Sequence, residues 1–377
     1  MIRRLSSLAV LTSVVAFSLP AANVSVPEFE MITRGANEDG EFVLTTRSDI
    51  DLLIEGGVKF DATLGLDLDT DRLQSDDEVT TTVDTALLDR YLGRTLRFKS
   101  ATITARNVAE TPINLTHFVG TLTPFATGDE FSREFGARSF STEFQGFRYF
   151  PDGVVYEGIY TPRGTGLIVG TDPLNETILA EFYAYQDELL GLGVFANDAR
   201  VLFNYPLAKV ELFAGGSYPA GTYGLYRGGI LMFFDTNAGG QFFGQVGLPS
   251  WDPQGGFSLE DFYFLFEPRV TFTKVAAALT LFWHPEVYQQ QITGEDGALD
   301  INFRLQAGVQ PETVLSGGFD SAMEYRPNDD EQIRLLISPF IRLSTSGVVW
   351  DFQIRTQVYP IVPADAFQGF IGVNTSF

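Results

Sequence analysis

The sequence predicts an all-β chain, a transmembrane antiparallel up-and-down β-barrel of about 16–18 strands. Three observations lead there. Long segments alternate apolar and polar residues without a slip: Leu299, Ile301, Phe303, Leu305, Ala307 and Val309 against Asp300, Asn302, Arg304, Gln306 and Gly308. The connections between such segments alternate between short and long. The composition, with 34 Phe, 37 Gly, 14% aromatic residues and a mean hydropathy of +0.06, suits strands and tight turns better than helices.

The amino terminus reads as an export signal. Arg3 and Arg4 precede a mostly apolar stretch from Leu5 to Leu19, and Pro20-Ala21-Ala22 offers a cleavage site. We therefore divide the chain into a signal peptide at 1–22 and a barrel at 23–377. Past residue 22 no apolar run reaches the length of a spanning helix. With no cysteine, the exported chain has no disulfide to stabilise it. The formal net charge of −23 argues against nucleic-acid binding and for attraction of cations.

The clearest strands are expected at 41–54, 58–68, 94–107, 112–122, 176–187, 207–217, 222–235, 241–249, 258–267, 269–283, 298–309, 314–325, 332–344, 348–359 and 366–377. Weaker ones fall at 28–34, 139–150, 154–161, 165–171 and 193–205. Residues 23–40 read equally as a first strand or a short plug. Short turns are expected at Glu55-Gly56-Gly57, Val108–Thr111, Pro151-Asp152-Gly153, Pro206, Glu267-Pro268, Gln310–Glu312 and Thr345-Ser346-Gly347. Long polar loops are expected at 69–93, 123–138, 284–297, 326–331 and 360–365. A sandwich has no reason to gather its tight turns at one end, whereas a membrane barrel has short periplasmic turns and longer outer loops. Counting back from a periplasmic carboxyl terminus puts every long loop outside.

The two faces of each strand agree. Ile333, Leu335, Ile337, Pro339, Ile341 and Leu343 oppose Gln332, Arg334, Ser338 and Arg342. Trp350, Phe352, Ile354 and Val358 oppose Asp351, Gln353, Arg355 and Gln357. Trp283 and Trp350 stand near strand ends, where aromatic girdles lie.

The last segment, AFQGFIGVNTSF, ends on Phe377, with Val373 and Ile371 on the same face and Thr375 interrupting it. Here the chain resembles the Gram-negative outer-membrane β-barrel, or porin-like, superfamily, without pointing to one family. The resemblance implies residence in the bacterial outer membrane, contact with its lipid, and recognition of the terminal strand by the barrel assembly machinery. It also implies a water-filled channel for passive diffusion of small hydrophilic solutes. Self-association into a homo-oligomer is left open.

The candidate pore lining is the set of charges on inward-facing strand positions: Asp49, Asp51, Asp61, Asp67, Asp300, Arg304, Asp320, Glu324, Arg334, Arg342, Asp351 and Arg355. If Arg residues on the last strands face carboxylates on the first, a transverse field orients hydrated solutes. The plainer reading is cross-strand pairing that stabilises the wall. The overall charge suggests a mild preference for cations. Segment 123–138, TPFATGDEFSREFGAR, is the third outer loop, the one that folds inward in general porins. Asp129, Glu130, Arg133, Glu134 and Arg138 are its candidate constriction residues. Loop 67–78 spaces Asp67, Asp69, Asp71, Ser75 and Glu78 like calcium ligands. Arg72 stands where a Gly is wanted, so a solvated acidic loop is the better reading and no metal or cofactor is assigned.

Catalysis has little support. His117 and His284 are the only histidines, and no nucleophile-elbow, phosphate-loop or paired zinc-ligand motif occurs. Alternatives to a diffusion channel are a selective transporter for fatty acids or oligosaccharides, and a structural or adhesive barrel whose loops bind a partner. Inward aromatics such as Phe340, Tyr183 and Tyr185 would favour the transporter, but no ordered aromatic track is visible in the sequence.

Overall fold

A computed structural model describes residues 23–38, 41–55, 59–69, 96–143, 158–191, 193–285, 298–309, 313–326, 332–345, 347–361 and 367–375. The strands are β1 (Asn23–Glu38), β2 (Glu41–Glu55), β3 (Phe60–Asp69), β4 (Leu96–Ala105), β5 (Ile113–Thr121), β6 (Arg163–Thr171), β7 (Ile178–Asp187), β8 (Phe195–Asn204), β9 (Ala208–Tyr218), β10 (Leu225–Asp235), β11 (Gly240–Trp251), β12 (Tyr263–Thr271), β13 (Val275–His284), β14 (Ala298–Ala307), β15 (Leu315–Tyr325), β16 (Ile333–Thr345), β17 (Val348–Tyr359) and β18 (Phe367–Thr375). They form one 18-stranded antiparallel sheet. Each strand pairs with its neighbours in sequence. β1 also pairs with β18, Phe29 opposite Thr375 through Ala36 opposite Gln368, and this last ladder closes the sheet into a barrel. Closure removes the unpaired edges that a bilayer would not tolerate.

The upper end of the predicted strand number is the right one. Residues 23–38 are a strand in the wall rather than a plug. The longest connections gather at one end, which carries 70–95 and 122–162, while 205–207, 236–239 and 272–274 at the other are tight; the two-residue connection 39–40, at the long-connection end, is the exception. One expected turn needs revision. Glu267-Pro268 lies inside β12, with Pro268 opposite Phe242 of β11. The turn into β13 comes later, at 272–274, so the expected strand 269–283 begins late. Proline has no N–H to give, and the ladder to β13 is interrupted at 267 and 268, between Phe266–Leu281 and Arg269–Ala278. Pro151-Asp152-Gly153 lies outside the described residues, within the connection between the directly paired β5 and β6. The weak strand expected at 139–150 is irregular over its described part, 139–143. Of 154–161, the described residues form one isolated bridge, Phe125 to Tyr160, and no named strand. Residues 1–22, 70–78 and Phe377, which carry the expected export signal, most of the acidic loop and the carboxyl end of the assembly signal, also lie outside the described residues.

Side chains divide as the alternation requires. Phe303, Phe319, Ile337, Ile341, Phe352 and Ile354 point outward and are exposed, while Asp300, Asn302, Arg304, Glu324 and Ser338 beside them point inward and are buried. In transmembrane barrels a belt of this kind is the surface that meets lipid. Trp350 opens β17 at the short-turn end, and Trp283 lies near the end of β13 at the opposite rim. His117 sits mid-strand on the outward face, opposite Ile103 and Leu167.

One sector breaks the pattern. On β7, β10, β11, β12 and β13 the inward positions are apolar as well: Tyr183, Tyr185, Leu231, Phe233, Phe243, Tyr263, Leu265 and Phe282 are buried. They join Phe125, Phe131, Phe140 and Ile159 of the β5–β6 connection in one hydrophobic cluster. The barrel thus carries a packed core inside its own bore, over one sector of the wall.

Candidate functional site

The inner core exists because the connection after β5 turns into the barrel. Its described part contains a short helix, α1 (Asp129–Phe135). Asp129 and Glu130 occupy the first turn, where the helix dipole favours acids, and Gly136 closes it at φ 60, a conformation that suits glycine. The neck of the connection is tied by backbone pairs. Phe125 N–H donates to Tyr160 C=O at 2.7 Å and Ile159 N–H to Phe125 C=O at 2.9 Å. Phe140 stacks on Phe233 with ring centroids 4.4 Å apart, and Phe125 meets Tyr183 edge-on at 5.0 Å. Each buried Phe or Ile contributes about 1.5–3 kcal/mol to docking, more than a typical net hydrogen bond of about 1 kcal/mol.

Ile159 docks by shape. Gly229 and Gly247 are directly paired on β10 and β11. A Cβ on Gly229 would come within 2.7 Å of the Ile159 Cδ1, and one on Gly247 within 3.0 Å. The two glycines leave a notch that the isoleucine fills.

Polar wall residues then grip the segment. The Glu211 carboxylate accepts the Ala126 N–H at 2.8 Å, and the Gln245 amide donates to the Ala126 carbonyl at 2.5 Å. Glu267, 0% exposed, accepts the Glu143 N–H at 2.8 Å and the Thr142 hydroxyl at 2.7 Å. Arg269 and Thr280 donate to the same carboxylate. At the centre, Arg200 on β8 reaches Glu130 at 3.0 Å and Glu211 at 3.8 Å, and also pairs with Glu181. Arg133 bonds to Glu130 from the helix side. Burial would push the Glu130 carboxyl up, but Arg133 and Arg200 together hold it below the ordinary glutamate range. Arg227 lies 4.0 Å over the Tyr160 ring and binds Asp198 at 2.7 Å. Burial pushes the Tyr160 phenol up to about 12, against the pull of Arg227, so it stays a neutral donor to Asp187.

Of the expected constriction residues, Glu130 is the buried anchor, while Asp129, Arg133 and Arg138 are exposed and Glu134 pairs with Arg133 at 2.9 Å. The expected pore-lining charges mostly pair with one another on the same wall. Arg304 stands opposite Asp320, 2.9 Å away, and reaches Glu143 of the inward segment at 3.2 Å. Arg342 stands opposite Asp351 at 2.8 Å. Glu324 faces Asp300 on one side and Arg334 on the other, with Arg355 at 3.9 Å. Asp61 is at the short-turn rim, bound to Arg106 at 2.9 Å. Asp49 stands opposite Glu30 and Asp67, and Asp51 opposite Glu28. Arg304, Arg342 and Arg355 thus have carboxylates on their own wall, which is the cross-strand stabilising reading and counts against a simple field between opposite walls.

Sequence reasoning passed over Glu181, Arg200, Glu211, Gln245 and Glu267. The signal was there: charges at inward positions of alternating strands, the same criterion that selected Asp300 and Arg304. What the chain order withheld was that the partners of these residues sit in the β5–β6 connection.

No protein-family model matches the chain, and no curated protein matches it in sequence. Solved structures do match. A mutant of the Rh. blastica porin superposes with a TM-score of 0.51 at 9% identity, covering 95% of this chain and 100% of that chain. A second mutant of the same porin gives 0.50 at 10% identity over 94% and 100%. The low-pH structure of Pseudomonas putida OprB gives 0.43 at 9% identity over 94% and 92%, too loose to argue from. The fold is therefore that of the porin-like transmembrane β-barrels. At this level of identity the likeness extends to the fold, and no particular porin family is singled out.

Proposed function

We propose that the chain forms a water-filled channel in a bacterial outer membrane, passing small hydrophilic solutes by diffusion with a mild preference for cations. The observation that carries this reading is the division of the closed wall: charged and amide side chains inside over most of it, an apolar belt outside interrupted by His117, and one connection docked in the bore. A barrel of this strand number leaves an aqueous passage. The inward-folded segment narrows it, with Asp129 and Arg133 on the exposed side of the helix, and Arg138 just past its end, presented to water. Export, handover to the assembly machinery through the terminal strand and any homo-oligomer belong to the same reading. No enzymatic step is proposed.

The selective-transporter alternative needs aromatic faces open to the bore. Tyr183 and Tyr185 are instead covered by the docked segment, so passive diffusion is preferred. An adhesive barrel would be closed to ions.

Single-channel recording in planar bilayers tests the proposal. Discrete ohmic steps are expected, with a reversal potential on the cation side under a potassium chloride gradient. Strong anion selectivity would remove the cation preference, and a silent protein would remove the channel. Deleting 127–136 should raise the unit conductance.

A further inference from the structure

We infer that the β9–β10 and β11–β12 connections form a collar seated in the membrane: they lean outward from the barrel rim and lie in the headgroup layer of the surrounding bilayer. The inference rests on the outer-membrane part of the reading above, not on conduction. Four rings line the rim of adjacent strands. Phe195, Tyr218, Tyr226 and Trp251 stand at the long-connection ends of β8, β9, β10 and β11. Phe195 is opposite Tyr218, and Tyr226 is opposite Trp251. Ring centroids lie 6.4 Å apart between Tyr218 and Tyr226, and 6.2 Å apart between Tyr226 and Trp251. The row is on the outer face, because the chain neighbours Ala196, Ser217 and Arg227 are buried on the bore side. In membrane barrels such rings stand where lipid meets water.

Two rings of this row hold the connections above them. The Tyr226 hydroxyl donates to the Tyr223 carbonyl at 3.1 Å, and the Trp251 indole N–H donates to the Gly256 carbonyl at 2.6 Å. Both connections are thus tied to outward-facing rings. Their apolar side chains are left largely uncovered: Leu259 is 76% exposed, Tyr223 73% and Phe257 60%. The β7–β8 connection, at the same end, adds exposed Leu189 and Leu190. Apolar residues scattered singly over a surface need no explanation, whereas a contiguous patch marks an interaction site. Here the patch continues the row of rings, which identifies its occupant as lipid.

The exposed carboxylates of Asp252 and Glu260 limit the depth of the collar. Charge is costly in hydrocarbon and is tolerated among headgroups, so the apolar tips rest at the boundary and do not sink past it. The β17–β18 connection provides the contrast. Gln357, opposite the buried Leu336 on the bore side, donates to the Pro360 carbonyl at 2.8 Å. That connection is tied to an inward side chain, and its exposed Ile361 is expected in water.

The test uses the full-length barrel folded into phosphatidylcholine vesicles. Because the chain has no cysteine, Tyr223→Cys, Leu259→Cys and Ile361→Cys each supply a single thiol for a nitroxide label. Collision of the label with oxygen, which concentrates in lipid, is compared with collision with a water-soluble nickel chelate. The oxygen-to-nickel ratio should be several-fold higher at Tyr223→Cys and Leu259→Cys than at Ile361→Cys. Adding Trp251→Phe to Leu259→Cys removes the donor to Gly256 and should lower the ratio, while heat-modifiability and conductance stay unchanged. Equal ratios at the three sites of an inserted, heat-modifiable barrel, or a ratio unmoved by Trp251→Phe, would overturn the inference and leave the channel reading intact. Labels shielded from both reagents, increasingly so at higher protein-to-lipid ratio, would mean that a second copy of the chain covers the patch, and would overturn it too. Failure of the barrel to insert would overturn both readings.

Discussion

The Arg200 guanidinium lies 3.0 Å from the Glu130 carboxylate, joining the eighth strand of the wall to the helix folded into the bore. Both side chains are almost wholly withdrawn from solvent. Removing one partner of such a pair leaves an uncompensated buried charge, at a cost of about 3–5 kcal/mol. Arg200→Met leaves Glu130, Glu181 and Glu211 facing one another and should destabilise more than Glu130→Gln. Urea unfolding in lipid vesicles checks the order, and a double-mutant cycle should return a coupling well above zero.

The same pair fixes a pH response. Glu130 is held below its ordinary range, so its stabilisation is fully present above the unfolded value of about 4.3 and is lost only as pH falls through the lower folded value. The Glu130 contacts to Arg133 and Arg200 should therefore persist from neutral pH down to about 5. Release of the segment, read as a rise in unit conductance or new protease cleavage within 127–136, belongs to stronger acid. Release beginning near pH 6 would contradict the assignment.

The notch at Gly229 predicts a steric effect. Gly229→Val places methyl groups where the Ile159 side chain and the Phe213 ring already lie. The neck should be displaced, giving noisier currents and faster proteolysis of the connection. Adding Ile159→Ala should quiet the currents in part, because it removes the overlap with Ile159 but leaves the one with the Phe213 ring. If the double variant is as noisy as the single one, docking does not depend on this fit.

Phe303 and Asn302 are neighbours in sequence with opposite surroundings, the first exposed on the outer face and the second facing the bore. Phe303→Arg should cost about 2–4 kcal/mol, as expected for an arginine near mid-bilayer, whereas Asn302→Arg should be far milder. Gel heat-modifiability after folding into vesicles measures both. Equal costs would mean that the two faces do not see different solvents.

The strand order and the outer surface were legible because they repeat. Alternation over β14 to β17 and the parity of connection lengths are local properties, imposed by a two-residue period and by a bilayer outside. Misplacing the turn at Glu267-Pro268 came from reading a proline as punctuation, although it occupies a site on β12 where the missing N–H is tolerated.

By itself, the sequence determined a closed antiparallel barrel with an apolar exterior and long polar connections, since the solvent on each face selects residues position by position along each strand. Only the tertiary structure decided that Phe125, Phe131, Phe140 and Ile159 fill one side of the bore, and that Glu211, Gln245 and Glu267 hold them there. Those contacts join residues up to 125 positions apart. Their partners are set by closure and by the shape of a glycine notch, neither of which leaves a periodic trace in the chain.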